Sequence, residues 1–344
     1  MTRRLLLATW LLLVSNSAAH AWPFLFFFHT SSPGVPSDTV RIDFVSNPPP
    51  VASCGNLGGP GIAVHPNPNT NTFYLHSYGW LQKDYAWGGG CAQAAAVQTR
   101  NGGLFTTQGM AISPDGATVW ITDNAGYVGV HDANTLAEIA YAYLTNNTSG
   151  ALCVVRMVEV NPANHLEAMV TSSNCNVKKV WPSGGWLYDA SVPDSDNSWG
   201  VTYSPDGGRV YAIRETDATQ DKLLEIDPVK MKRTQAWDIL PRSRQVLVAN
   251  GWVFAPGTGT DNVTKMVAVN PAGGCDSYVT KPNGALTHIT AHMDGFSRRG
   301  NGLYVLSRDA GVMAEFDSLS RNWTGNNYPV GYGAEAWGPF MPLW

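Results

Sequence analysis

Charge is what this chain has least of. Only 14% of its 344 residues are Asp, Glu, Lys or Arg, against about a quarter in ordinary soluble domains. Its net charge of −4 comes with no basic patch, which excludes a nucleic-acid footprint. Past the N-terminus, no run approaches the ~20 apolar residues that a membrane-crossing helix needs. Helical periodicity is also missing: short β-branched and aromatic runs with a period near two are interrupted throughout by Gly and Pro. The chain has no HExxH, no Ser/His/Asp signature and no Gly-rich phosphate loop; Gly88–Gly90 lacks the Lys and the following helix of a phosphate cradle. Its five cysteines include no CxxC pair of the metal-binding kind.

The N-terminus, in contrast, carries a clear signal. Arg3-Arg4, the apolar run Leu5–Val14 and the small-residue site Ala19-His20-Ala21 read as an export signal cleaved before Trp22. The greasy WPFLFFF that follows leaves an uncleaved, lumenal-facing signal anchor as the alternative to a secreted, extracellular protein. Residues 1–21 are therefore set aside, 22–38 read as a flexible lead-in, and 39–344 as one domain. Export makes the cysteines potential disulfide partners. Pairing within repeats predicts Cys54–Cys91 and Cys153–Cys175, with Cys275 left over. Glycosylation sequons fall at Asn146, Asn147, Asn262 and Asn322.

The stretch Gln108–Leu144 holds four β-prone runs, MAIS, ATVWITD, YVGVHD and EIAYAYL, divided by Pro114-Asp115-Gly116, Asn124-Ala125-Gly126 and Ala133-Asn134-Thr135. Four short strands with such turns make one propeller blade, and a blade cannot bury both faces alone. The unit recurs, with first strands starting near Gly61, Met110, Met157, Val201, Val246 and Ile289, a spacing of about 43 to 49 residues. The prediction is an all-β chain, a six-bladed β-propeller of four-stranded antiparallel blades, with seven blades as the alternative. Val40–Ser46 is then a spare strand available to close the last blade, and a β-sandwich array is the structural runner-up.

SPDG followed by a V/I-Y/W strand, at Ser113–Thr122 and Ser204–Ile213, resembles the blades of YVTN-type, NHL and gluconolactonase/regucalcin-like propellers. The gluconolactonase likeness implies a divalent cation, usually calcium, held by a Glu, two Asn and an Asp at the channel mouth. Asp123 stands where that family's aspartate follows the second strand. Where the family has Asn-Gly before SPDG, this chain has Gln108-Gly109 and Trp199-Gly200, and Gly58 replaces the early acid.

In propellers, inner-strand starts and the loops after second strands meet around one mouth. That rule gathers Gln108, Asp123, Asn124, Arg156, Arg214, Glu215, Arg244, His288, Arg308 and Asp309, with His76 from the first repeat. Arginine forks bind carboxylates and an adjacent acid or His can move a proton, so the set suits an acidic sugar or another small anion. The plainer alternative is that each Arg pairs with a neighbouring acid and lines a wet channel. His65 and His131 read as structural, and His288 and His292, about 13 Å apart on a strand, make a poor metal pair. Tyr78, Trp80, Tyr85 and Trp87 cluster in one predicted loop, and Trp181 and Trp186 in another. Such rings stack on sugars, anchor protein partners, or pack blade on blade.

Two function classes follow. One is a non-catalytic extracellular propeller binding a carbohydrate, a small anion or a protein. The other is a hydrolase or lyase acting on a lactone or acidic sugar with Ca²⁺.

Overall fold

The computed structural model describes residues 24–29, 38–43, 51–53, 63–67, 70, 72–77, 79–87, 90–101, 107–217, 219–258, 264–280, 295–307, 312–329 and 334–335. Among these every regular element is a strand. The first sheet contains β1 (Phe24–His29), β2 (Asp38–Asp43) and β3 (Val51–Ser53). Four consecutive strands then form each later unit: β4 (Ala63–Pro66), β5 (Thr72–Ser77), β6 (Trp80–Trp87) and β7 (Gly90–Gln98); β8 (Thr107–Ile112), β9 (Thr118–Asp123), β10 (Tyr127–Asp132) and β11 (Glu138–Tyr143); β12 (Val155–Val160), β13 (Ala168–Ser172), β14 (Lys178–Ser183) and β15 (Trp186–Ser191). The pattern continues with β16 (Ser198–Tyr203), β17 (Val210–Glu215), β18 (Asp221–Asp227) and β19 (Lys232–Ile239). Next come β20 (Leu247–Ala249), β21 (Trp252–Thr258), β22 (Thr264–Asn270) and β23 (Gly274–Thr280). The last full meander is β24 (Gly295–Arg299), β25 (Gly302–Ser307), β26 (Val312–Asp317) and β27 (Asn322–Pro329), after which β28 (Ala334–Glu335) returns to the first sheet.

Each meander pairs its strands in sequence order, and one sheet has eight strands because β11 and β15 share a single parallel pair, Tyr141 with Trp186. First strands of successive sheets touch, β4 to β8, β8 to β12, β12 to β16, β16 to β20 and β20 to β24. The circuit closes where β28 meets β25 and β1 meets β4. This is a propeller-like arrangement.

The apolar core lies between sheets. Tyr74 and Leu81 pack on Met110, Ile112 and Val119; Trp120 and Val128 pack on Val155, Val158 and Val170; Met157 and Met169 pack on Val201 and Tyr203. Because both faces of a sheet meet a neighbour, strands such as TVWITD are buried almost throughout, where a sheet with one wet face would alternate. The two SPDG turns are built alike. Ser113 Oγ donates to Asp115 at 2.5 Å and Ser113 N to Thr118 O at 2.9 Å, matched by Ser204 Oγ to Asp206 at 2.5 Å and Ser204 N to Arg209 O at 2.9 Å.

Three sequence readings differ from this structure. Phe24–His29, expected within a flexible lead-in, is a strand paired with β2 and β28; its aromatic run is strongly β-prone. The spare strand expected to close the last blade instead belongs to this first sheet, and the C-terminal β28 supplies the closing pair. Trp80, Tyr85 and Trp87, expected in a loop, lie along β6, and Trp181 and Trp186 lie on β14 and β15. No Gly, Pro or Asn interrupts Trp80–Trp87, so nothing ends that strand.

The Cys153–Cys175 disulfide is formed. Cys54 and the side chains of Cys91 and Cys275 lie outside the described residues, as do residues 1–23.

Candidate functional site

The first strands of three neighbouring units share an irregularity at their leading ends. Pairing slips between Thr107 and Met110 on β8, between Val155 and Val158 on β12, and between Ser198 and Val201 on β16. A bulge re-aims the side chain it carries, so Gln108, Arg156 and Trp199 hold equivalent places at one end of three inner strands. The glycine after two of them has a packing cause. A Cβ on Gly109 would lie 2.7 Å from Arg156 O and 2.9 Å from Met157 Cα; one on Gly200 would lie 2.6 Å from Gln245 Cα. Inner strands approach backbone to backbone here. The residues that resemble a lactonase dipeptide thus keep their glycine for packing.

Trp199 is the centre of the site. The Arg156 guanidinium carbon lies 3.5 Å from the indole centroid and that of Arg244 lies 4.0 Å from it. Two cations therefore share one aromatic ring. Glu215 fixes the stack from the side: its Oε2 accepts from Trp199 Nε1 at 3.0 Å and its Oε1 from Arg244 Nη2 at 3.1 Å. Arg156 Nη1 donates to Asn197 Oδ1 at 3.2 Å and to Ser198 O at 3.3 Å. Arg214, next to Glu215 on β17, pairs with Asp196 at 2.6 Å.

The electrostatics follow from these contacts. Burial pushes the Glu215 carboxyl up, but hydrogen bonds from Arg244 and Trp199 and the charges of Arg244 and Arg156 outweigh it and leave the group at about 2. Glu215 is a committed anion and a weak base. Burial, then repulsion from Arg244, lowers Arg156 to about 10, with Glu215 opposing. Asp221, 1% exposed, is raised to about 7 by burial against the pull of Arg244, while its Oδ2 accepts from Ser243 N at 3.0 Å. Among the described residues, Glu215 pairs directly with Arg244, whereas Arg156 donates only to neutral oxygens.

The structure thus brings Arg156, Glu215 and Arg244 together, while Arg214 pairs with Asp196 instead. Asp123 is placed differently. Its Oδ1 accepts from Ala125 N at 2.8 Å and Tyr127 N at 3.1 Å, and its Oδ2 accepts from Asn101 Nδ2. Burial raises this carboxyl against those bonds. The carboxylate caps its own turn, with Asn124 half-buried inside it, and no group of three His, Cys, Asp or Glu that could hold a metal occurs among the described residues. His76 is 1% exposed and burial holds it at about 3, so it is a neutral core residue, outside any mouth. His131 is likewise buried, its Nδ1 2.9 Å from Leu136 O. Trp80 is 47% exposed on β6, in a different sheet from the arginines. His288, Arg308, Asp309 and the side chain of Gln108 lie outside the described residues.

Trp199, Asn197 and Asp221 are the site residues that the sequence reading passed over. The signal for Trp199 was its place before Gly200 and VTYSPDG, the same place that Gln108 holds before Gly109 and MAISPDG.

No family model matches this chain, and no curated protein does. Solved structures do. The chain is similar to a provisionally assigned 6-phosphogluconolactonase of Bacteroides fragilis at a TM-score of 0.68 and 10% identity, covering 93% of this chain and 98% of that one. A functionally unknown protein from Desulfotomaculum acetoxidans superposes at 0.65 with 10% identity, covering 91% and 99%. The β-propeller domain of Myceliophteria thermophila Cps50 (Swd1) superposes at 0.63 with 9% identity, covering 82% and 91%. At these identities the likeness carries the fold alone, and that fold is propeller-like.

Proposed function

We propose that this protein is an exported, non-catalytic β-propeller that holds a small anion, such as the carboxylate of an acidic sugar, against the Arg156–Trp199–Arg244 stack. One observation carries the reading: two guanidiniums flank a single indole, and among the described residues that of Arg156 donates only to the neutral acceptors Asn197 Oδ1 and Ser198 O. A carboxylate or phosphate docking on half-buried Arg156 would give that guanidinium a directly bonded counter-charge and gain charge-assisted hydrogen bonds. Seven four-stranded blades, the alternative count from the sequence, suit the chain better than six, because β1–β3 with β28 supply a further sheet in the circuit of touching strands. The export signal and the Cys153–Cys175 bridge support passage through an oxidising compartment. The sequons at Asn262 and Asn322 are then candidate glycan sites, whereas Asn146 and Asn147 turn into a cavity wall and hydrogen-bond to Asn174 O and Ser191 Oγ.

The hydrolase or lyase reading rests on Asp221, the one acid beside the stack among the described residues that would carry a proton near neutrality. Calcium belongs only to that reading, and the capped carboxylate of Asp123 weighs against it. Isothermal titration with D-glucuronate, alongside an assay for D-glucono-1,5-lactone hydrolysis, separates the two. Saturable binding that is lost in Arg156→Ala, without lactone turnover, supports the binding protein. Turnover lost in Asp221→Asn supports the enzyme.

A further inference from the structure

A second opening adjoins the stack. A cavity of about 390 Å³ lies between three loops, with Arg214 on its wall. The β11–β12 loop brings Asn147, the β13–β14 loop Asn176, and the β15–β16 loop Asp194 and Asp196. The Cys153–Cys175 disulfide ties the first two loops together. Also on the wall, Lys178 is 2% exposed, and its ammonium donates to Asp189, to Asn147 Oδ1 at 2.9 Å and to Ser191 Oγ at 3.1 Å. The frame is therefore rigid and satisfied.

The groups left over are of one kind. Asp194 accepts no hydrogen bond from the described residues, and it sits at φ 56° in the left-handed region. Strained positions of this type concentrate at functional sites. Arg214 spends Nη2 on Asp196, and its Nη1 donates to no described residue. Asn176 accepts from Ser195 N at 3.1 Å through Oδ1, and its amide nitrogen donates to no described residue. The pairs Lys178–Asp189 and Arg214–Asp196 cancel, so among the described residues Asp194 leaves the cavity wall with an excess negative charge. No aromatic or aliphatic side chain lines it.

We propose that this cavity is a second ligand site, one that takes a neutral polyhydroxylated molecule such as a hexose unit. Vicinal hydroxyls both donate and accept, which matches a free carboxylate beside an unspent guanidinium N–H and an unspent amide N–H. The cavity falls within the size range of small-ligand pockets, about 300–1,000 Å³. Its residual negative charge disfavours the anion proposed for the stack, and its polar lining disfavours an apolar ligand.

Saturation-transfer NMR on the exported chain, with D-glucose, D-galactose and D-mannose as probes, tests the assignment. At least one hexose should receive saturation, and excess inorganic phosphate should not displace it. Binding should weaken roughly tenfold in Asp194→Ala and in Asn176→Asp, each removing one charged or directional hydrogen bond. Asn176→Asp keeps the acceptor for Ser195 N, and Asp194 is exposed, so near-ultraviolet circular dichroism should match the parent protein. If Asn176→Asp fails to fold, Asp194→Ala decides alone. Absence of transfer to every hexose, displacement by phosphate, or undiminished binding in folded Asp194→Ala would overturn the proposal.

Discussion

Arg244 is 5% exposed, and among the described residues its guanidinium leans on the face of Trp199 and the carboxylate of Glu215. Glu215→Gln retains shape and a hydrogen-bond acceptor but removes the charge. Leaving a buried cation without its counter-charge costs about 3–5 kcal/mol in dry sites. Since the Glu215 side chain is 34% exposed, solvent screens part of this, and a loss of about 2 kcal/mol is expected by urea denaturation. Asp221 gives a prediction in pH. Its folded value near 7 lies above its ordinary 3.8, so between about 4 and 7 the folded state holds a proton that the unfolded chain has released. Stability from this group therefore falls as pH rises through that window. Asp221→Asn abolishes the dependence, and its stability relative to the parent protein should improve by roughly 2 kcal/mol between pH 5 and pH 8. Denaturation curves at the two values check it.

At the scale of strands, the bulged leading ends are what turn a repeated blade into a site. They set Arg156 and Trp199 in neighbouring units at equivalent places, and Gly200 lets β20 lie close enough to bring Arg244 onto the ring. Gly200→Ala should destabilise by about 2 kcal/mol, because every near neighbour of the new Cβ is backbone. Gly208→Ala, whose Cβ would meet Asp206 at an ordinary 3.4 Å, should change stability by less than about 0.5 kcal/mol. Paired thermal melts distinguish them. The Cys153–Cys175 bridge spans 22 residues, and its removal by Cys153→Ala with Cys175→Ala should cost about 3 kcal/mol through the entropy of the freed loop.

Strand existence was legible because inner strands such as β9, β10 and β13 are buried on both faces, which leaves dense β-branched runs cut by SPDG and Asx turns that build themselves from local hydrogen bonds. The convergence of Arg156, Glu215 and Arg244 was legible from the same repeat. What the sequence hid was non-local. Nothing adjacent to Trp199 in the chain announces that two arginines from 43 residues before it and 45 after it will stack on its faces. Nor does the Asp123 sequence announce that its oxygens are spent on its own turn and on Asn101.

For the whole molecule, closure rests on a short element. β28 contributes two residues, Ala334 and Glu335, paired with His29 and Phe28 of β1. Deleting residues 331–344 would leave the edge of β1 without this partner, and open edges recruit other chains. A lower melting temperature and self-association by light scattering are expected; an unchanged monomer would show that closure lies elsewhere. The ring matters to function because it alone brings positions from three sheets to one place. The account therefore stands or falls on where an anion goes. A crystal of the full chain soaked in D-glucuronate should show the carboxylate against the Arg156 guanidinium, beside the Trp199 indole. Well-ordered glucuronate bound only elsewhere, with Arg156 and Arg244 stacked as before, would contradict it.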